Sequence, residues 1–208
     1  MAIVRIRSVQ GPFDDPVVAH LAVAVLTRAE AMGLLPPKEA IERLDMHTFR
    51  RLIEGIAQAG IGNGLLPDLA ASSSPNPRQL AVTLQKLNEA LDASPMPTCE
   101  WAGVNGVLGG DVLASLLGIS SSSVRRYLSG SRATPDGIAA RLHFLALVIG
   151  DLAGAYNDFG VRRWFQRPRK LLGSRSPAQL LDGTWQPEDP GPQRVRDLAA
   201  ALVSSPAT

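Results

Sequence analysis

The stretch from Asp111 to Gly130, DVLASLLGISSSSVRRYLSG, constrains the fold of this chain more than any other. Asp111 is placed to cap a short helix carrying Val112, Leu113, Leu116 and Leu117, and Ala114 is small where a second helix has to cross closely. Gly118 follows four residues later, where a turn between helices requires a left-handed backbone that glycine adopts at little cost. Ile119 closes the turn from below and Ser120 is placed to cap the second helix. Val124, Tyr127 and Leu128 give that helix its buried stripe, and Gly130 ends it. The order small residue, glycine, apolar residue, then an apolar residue five further on is the spacing of a helix-turn-helix.

That geometry assigns roles. The exposed positions expected on the second helix are Ser121, Ser122, Ser123, Arg125, Arg126 and Ser129. In a helix-turn-helix the N-terminal residues of the second helix meet base edges in the major groove of double-stranded DNA. Arginine suits guanine O6 and N7, and serine hydroxyls suit phosphates or either base type. Arg132, just beyond the helix, is placed to reach a backbone phosphate. The plain alternative is a helical hairpin that only packs.

Charge supports the DNA-contacting reading without deciding it. The chain is nearly neutral, +2 from 21 basic and 19 acidic side chains, but unevenly so. Residues 1–119 hold 9 Lys/Arg against 12 Asp/Glu, residues 120–175 hold 10 against 3, and residues 176–208 hold 2 against 4. A basic middle segment is the pattern of a face that meets a polyanion, and equally of a solvated Arg-rich helical face.

Elsewhere the pattern is helical. Asp15-Pro16 supplies an N-cap and an N1 proline for a run carrying Val17, Val18, Leu21, Val25 and Leu26, which Gly33 can end. Pro36-Pro37 is expected to open a second helix carrying Ile41 and Leu44; Phe49, Leu52, Ile53 and Ile56 form a third stripe. Residues 2–9, AIVRIRSV, are β-prone but short. The Gly-, Ser- and Pro-rich segment GIGNGLLPDLAASSSPNP marks a domain boundary. Asn76-Pro77 starts a helix lined by Leu80, Leu84, Leu87 and Leu91, and Thr98 is expected to cap the next through Trp101 and Val104. Thr134 and Pro135 open a long helix at 135–154. Near the C-terminus, Val161, Trp164 and Phe165 are placed to bury while Arg162 and Arg163 project, and Arg167, Arg169 and Lys170 extend the basic surface. Trp185 with Pro187, Pro190 and Pro192 reads as a stiff connector to a last stripe at Val195, Leu198, Ala199 and Leu202.

The enzyme motifs are missing: there is no phosphate loop with lysine, no HExxH, no GxSxG, and the glycines at 103, 106, 109 and 110 are wrongly spaced for a dinucleotide fingerprint. One cysteine excludes a disulfide framework, and Cys99 reads as a buried thiol. Three scattered histidines form no ligand pair; His143, among Leu142, Phe144 and Leu145, reads as a core histidine, and Asp151 and Asp158 as ion-pair partners of arginines. No enzyme activity, cofactor or metal is expected. No apolar run approaches the ~18 residues of a membrane span, and MAIVRIRSVQGPFDD has no hydrophobic signal core before its first acids, so a cytoplasmic protein is expected.

Residues 77–200, about three-fifths of the chain, resemble the Xre/MbcA/ParS family of antitoxins. The resemblance rests on the helix-turn-helix, on ATPDGIAARLHFLALVIGDL at 133–152, and on AYNDFGVRRWFQRPRKLLGSRSPAQLL at 155–181, whose Trp164-Phe165, Pro168, Leu172-Gly173 and Ser176-Pro177 look like that family's toxin-binding motif. It implies an all-α protein with a helical N-terminal extension at 1–75, a helix-turn-helix DNA-binding region at 76–134 and a small helical toxin-binding domain at 135–208. It also implies an antitoxin that binds a RES-domain, NAD⁺-degrading toxin and represses their shared promoter. The toxin-binding set it suggests is Arg162, Arg163, Trp164, Phe165, Arg167 and Pro168, with Arg194 and Arg196 on the C-terminal tail. A homodimer is expected, because one helix-turn-helix reads only a few base pairs; the stripe at Phe49, Leu52, Ile53 and Ile56 and the long helix at 135–154 are candidate pairing surfaces. Two other readings stay open: a stand-alone helix-turn-helix regulator that uses residues 1–75 to dimerise or sense a ligand, and a protein-interaction module that binds no DNA.

Overall fold

A computed structural model describes residues 3–36, 40–65, 67, 69 and 75–204. These are mostly helical, and they divide into two compact units: Met1–Glu30 with Leu34–Pro95, and Ala31–Gly33 with Met96–Thr208. The boundaries expected at 75/76 and 134/135 do not coincide with this division.

In the first unit, strand β1 (Ile3–Val9) is followed by helix α1 (Pro16–Ala31), strand β2 (Ala40–Leu44), helix α2 (Met46–Gln58) and helix α3 (Pro77–Asp92). Asp15 starts α1 as its sequence predicts: its Oδ1 accepts from the N–H groups of Val17 and Val18 at 2.9 and 3.2 Å. Strands β1 and β2 run parallel, with Ile3 opposite Ala40 and Val9 opposite Leu44. The second helix expected from Pro36-Pro37 is therefore not there: Ile41 and Leu44 belong to β2, and residues 37–39 lie outside the described residues. The reason lies in β1. A strand's N–H and C=O groups need a partner strand, and β2 supplies it while exposing Glu42 and Arg43 and burying Leu44. The described residues are thus mostly helical, compatible with the expected all-α class, with one small two-stranded parallel sheet beside the helices.

Helix α2 begins at Asp45, whose carboxylate accepts the Thr48 N–H at 2.8 Å. It buries Met46, Phe49, Leu52, Ile53 and Ile56, and the Phe13 and Phe49 rings lie 5.3 Å apart. Helix α3 begins at Asn76 and buries Leu80, Leu84, Leu87 and Leu91. Its Asn88 donates to the carbonyls of Leu21 and Leu84, which ties α3 to α1 and explains why 77–92 belongs to the first unit.

The second unit holds helices α4 (Pro97–Leu108), α5 (Gly110–Leu117), α6 (Ser121–Leu128), α7 (Asp136–Ala153) and α8 (Asp158–Gln166), a 3-10 turn at Lys170–Leu172, and helices α9 (Pro177–Leu180) and α10 (Pro190–Ser204). Helix α7 is its axis. Every residue from Arg141 to Leu152 is buried, because α4, α5, α8 and α10 all pack against it. Two polar links lock this core. His143 Nδ1 meets Glu100 Oε1 at 2.5 Å between α7 and α4, and Arg196 Nε donates to Asp151 Oδ2 at 3.0 Å between α10 and α7.

Several helix starts differ from expectation. Residue Met96, not Thr98, precedes α4; Gly109, at φ 79°, precedes α5, leaving Asp111 in its first turn; and Pro135 precedes α7. Thr134 instead accepts a hydrogen bond from the Trp101 indole at 2.9 Å. Both surfaces expected to pair in a dimer are covered within the chain, since Phe49, Leu52, Ile53 and Ile56 and the middle of α7 are already core. Among the described residues no single helix is long and apolar enough to cross a membrane.

Candidate nucleic-acid interface

Helices α5 and α6 are each eight residues long and meet at a turn of three residues. Gly118 sits at φ 65°, ψ 35°, the left-handed conformation its sequence position calls for. The Ser120 side chain accepts the Ser123 N–H at 3.2 Å and so caps α6. Leu113, Ala114, Leu116 and Leu117 of α5 are buried, as are Val124 and Tyr127 of α6. Ile119 is only half-buried, and Leu128, the last residue of α6, is exposed, at 36%, where the stripe predicts burial. The Tyr127 ring stacks on Trp101 of α4 at 5.1 Å, which fixes the roll of α6 about its own axis.

That roll leaves Ser122, Arg125, Arg126 and Ser129 exposed at positions i, i+3, i+4 and i+7, one face of the helix. Ser121 and Ser123 are half-buried; the Ser121 hydroxyl donates to Asp111 Oδ1 at 3.1 Å and thereby ties α6 to α5. Arg132, beyond the helix, is exposed with its guanidinium 5.6 Å from the Tyr127 ring centre. No acidic residue occurs between Asp111 and Asp136, so the three arginines are uncompensated along the chain. A rigid helix offering guanidinium and hydroxyl donors on one face is equipped to meet clustered acceptor oxygens and nitrogens.

The residues proposed from the 155–181 resemblance separate into three groups. Trp164 and Phe165 are interior, 1% and 0% exposed, edge-on to one another at 5.3 Å. Arg162 and Arg196 are engaged inside the unit, Arg162 donating to the Val107 carbonyl at the end of α4 and Arg196 to Asp151. Arg163, Arg167, Pro168 and Arg194 are exposed, and so are two apolar side chains, Phe159 and Leu171. Any contact surface here is built by this last group, with the aromatic pair underneath it.

Trp185 belongs to the core rather than to a connector. It is buried at 3%, packs edge-on to Phe144 at 5.1 Å, and donates its indole N–H to the Leu116 carbonyl at 2.9 Å. Buried Arg141 donates to the neighbouring Leu117 carbonyl at 3.0 Å. The sequence signal was a lone tryptophan in a proline-rich segment, a residue whose apolar area is rarely left in water. Cys99 is a free thiol and half-buried rather than buried. Among the described residues no group of three or more His, Cys, Asp or Glu side chains converges as a metal site would. The chain matches no protein-family model, no curated protein and no solved structure.

Proposed function

We propose that the chain is a DNA-binding antitoxin: α5 and α6 act as a helix-turn-helix on the operator of its own operon, and the C-terminal part of the second unit holds a RES-domain toxin that degrades NAD⁺. The observation that carries the first half is the exposed face of α6, where Ser122, Arg125, Arg126 and Ser129 share one side of a helix whose other side is fixed by Val124 and Tyr127. Docked in a major groove, Arg125 and Arg126 reach guanine edges while Arg132 meets the phosphate backbone. Two copies bind as a dimer across a two-fold site, through a surface other than the two stripes already covered within the chain.

The second half rests on the resemblance of residues 155–181 and on the exposed arginines beside Phe159 and Leu171. A pocket that holds NAD⁺ is built to take anionic phosphates, so arginines brought to its mouth compete electrostatically. The alternative, a stand-alone regulator, draws on the first unit, which has a core of its own and fits a separate dimerising or sensing module.

The test is binding of the intact chain to the DNA upstream of its own reading frame. Loss of a bidentate arginine to alanine at 125 or 126 costs ~1–3 kcal/mol and relaxes specificity at one base pair. Arg132→Ala weakens all sequences alike and lowers the salt slope by about one unit. Undiminished binding by the Arg125→Ala/Arg126→Ala double variant refutes the assignment of α6. For the toxin half, co-expression with the product of an adjacent RES-domain frame restores growth and cellular NAD⁺; failure of the two proteins to co-purify leaves the stand-alone regulator.

A further inference from the structure

The end of α5 raises a complete accounting question. An α-helix leaves its last four carbonyls without partners inside the helix, and buried ones must be satisfied elsewhere. In α5 these are the carbonyls of Ala114, Ser115, Leu116 and Leu117. Two are met locally by the turn: Ile119 N–H donates to Ala114 at 3.0 Å and Gly118 N–H to Ser115 at 3.1 Å. The other two are met from far along the chain, Leu116 by the Trp185 indole at 2.9 Å and Leu117 by the Arg141 guanidinium at 3.0 Å. The same segment presses on the turn itself, because a Cβ at Gly118 would stand 2.6 Å from the Gly183 carbonyl oxygen. Arg141 and Trp185 are also in contact with each other, the guanidinium lying 5.9 Å from the indole centre.

From this we propose that residues 181–186 form a strap that latches the α5–α6 turn, and that Trp185 and Arg141 are positioning residues which set how α6 presents its exposed face. The inference rests on the DNA-binding reading for its consequence, though not for its geometry. The turn has three residues between the two helices, so α6 inherits its direction from the last carbonyls of α5. With the latch intact, Arg125 and Arg126 are held in one orientation. With it released, two buried acceptors seek other partners and the turn has alternatives. Base readout depends on that orientation, whereas non-specific attraction to phosphate does not. The strap therefore governs discrimination between sequences rather than affinity for DNA as such. It also gives the C-terminal part of the chain a physical handle on the helix pair: whatever draws residues 181–186 away loosens α6.

Trp185→Phe keeps an aromatic ring against Phe144 and removes the indole donor together with part of the buried ring. It is compared with the parent on the upstream DNA fragment and on a scrambled fragment of equal length, across a salt series. We expect affinity for the upstream fragment to fall about fivefold, the worth of one hydrogen bond, with binding to the scrambled fragment and the salt slope unchanged. Simple destabilisation lowers the active fraction for both fragments equally and leaves their ratio intact, so the ratio separates positioning from folding. In the DNA-free proteins, amide exchange at Gly118 and Ile119 should accelerate about fivefold in the variant. Should Trp185→Phe not fold, Arg141→Met, which removes the donor to Leu117 and keeps the aliphatic bulk, takes its place in both arms. An unchanged affinity ratio together with unchanged exchange at the turn overturns the strap. If the parent itself binds neither fragment, the DNA-binding reading falls, and unaltered turn exchange in the variants is then the result that overturns the latch.

Discussion

Replacing Gly118 by alanine should destabilise the second unit by about 2–3 kcal/mol, and the comparison with Gly130→Ala separates the causes. Both glycines sit in the left-handed region, at φ 65° and 68°. For an L-residue that conformation costs roughly 1–2 kcal/mol, and the stiffer unfolded chain of an alanine variant returns about 0.4–1 kcal/mol. At Gly130 nothing lies within 4 Å of an added Cβ, so the loss there should stop at about 1 kcal/mol. At Gly118 the Cβ meets the Gly183 carbonyl oxygen at 2.6 Å, backbone against backbone, and no flexible side chain can swing aside. Relieving such overpacking costs a further ~1–3 kcal/mol. In a unit of this size 1 kcal/mol moves the melting temperature by about 4 °C, so Gly118→Ala should melt about 10 °C below the parent and Gly130→Ala within about 4 °C of it. Tryptophan fluorescence reads this unit alone, since Trp101, Trp164 and Trp185 all belong to it. Equal losses at the two glycines would refute the claim that the strap presses on the turn.

Three further outcomes follow from packing and charge. Trp164→Ala should cost ~3–5 kcal/mol in the same fluorescence-detected melt, because it removes a buried ring that packs on Phe165 and lies under Arg169. Arg196→Ala should cost ~2 kcal/mol by removing its charge-assisted hydrogen bond to the buried Asp151 carboxylate, and protease susceptibility of α10 is its check. In the first unit the Thr48 backbone N–H, opposed by partial burial and helped by the Thr48 hydroxyl and Arg43, holds the Asp45 carboxyl below its ordinary value. A lowered folded value means a contribution that is full above the unfolded value and fades as pH falls through the folded one. Asp45→Asn keeps the cap but does not titrate, so hydrogen exchange across α2 should lose part of its acid sensitivity below about pH 4.

The helix pair at 110–128 was legible because its rules are local: a glycine at φ > 0, a serine cap and a periodic stripe are each written within a few residues. The same holds for Asp15, Asn76 and the buried faces of α2, α3 and α8. What was not legible depended on partners distant in sequence. Ile41 and Leu44 lie three apart, which fits a helix, and only the unpaired edge of β1, more than thirty residues earlier, makes that segment a strand. Helix α3 follows the segment that looked like a boundary, yet Asn88 reaches back to Leu21 and places it with the first unit. Within the candidate interface, Ser122, Arg125, Arg126 and Ser129 lie on the exposed face of α6 as the stripe predicts, whereas Ser121 and Ser123 are half-buried and Leu128 is exposed.

Trp185 marks the deeper limit. From composition it belonged to a connector, and no periodicity surrounds it that would betray a core position. Its role comes from one carbonyl almost seventy residues earlier, that of Leu116, which the eight-residue α5 does not satisfy by itself. A helix that short has as many unsatisfied ends as middle, so its geometry is set by whichever donors reach it. In this chain those donors are Arg141, on the central helix, and Trp185, on a segment between two C-terminal helices. The local signal that singles out α5 and α6 is therefore incomplete without the C-terminal residues, and the orientation of Arg125 and Arg126 is a property of the whole second unit.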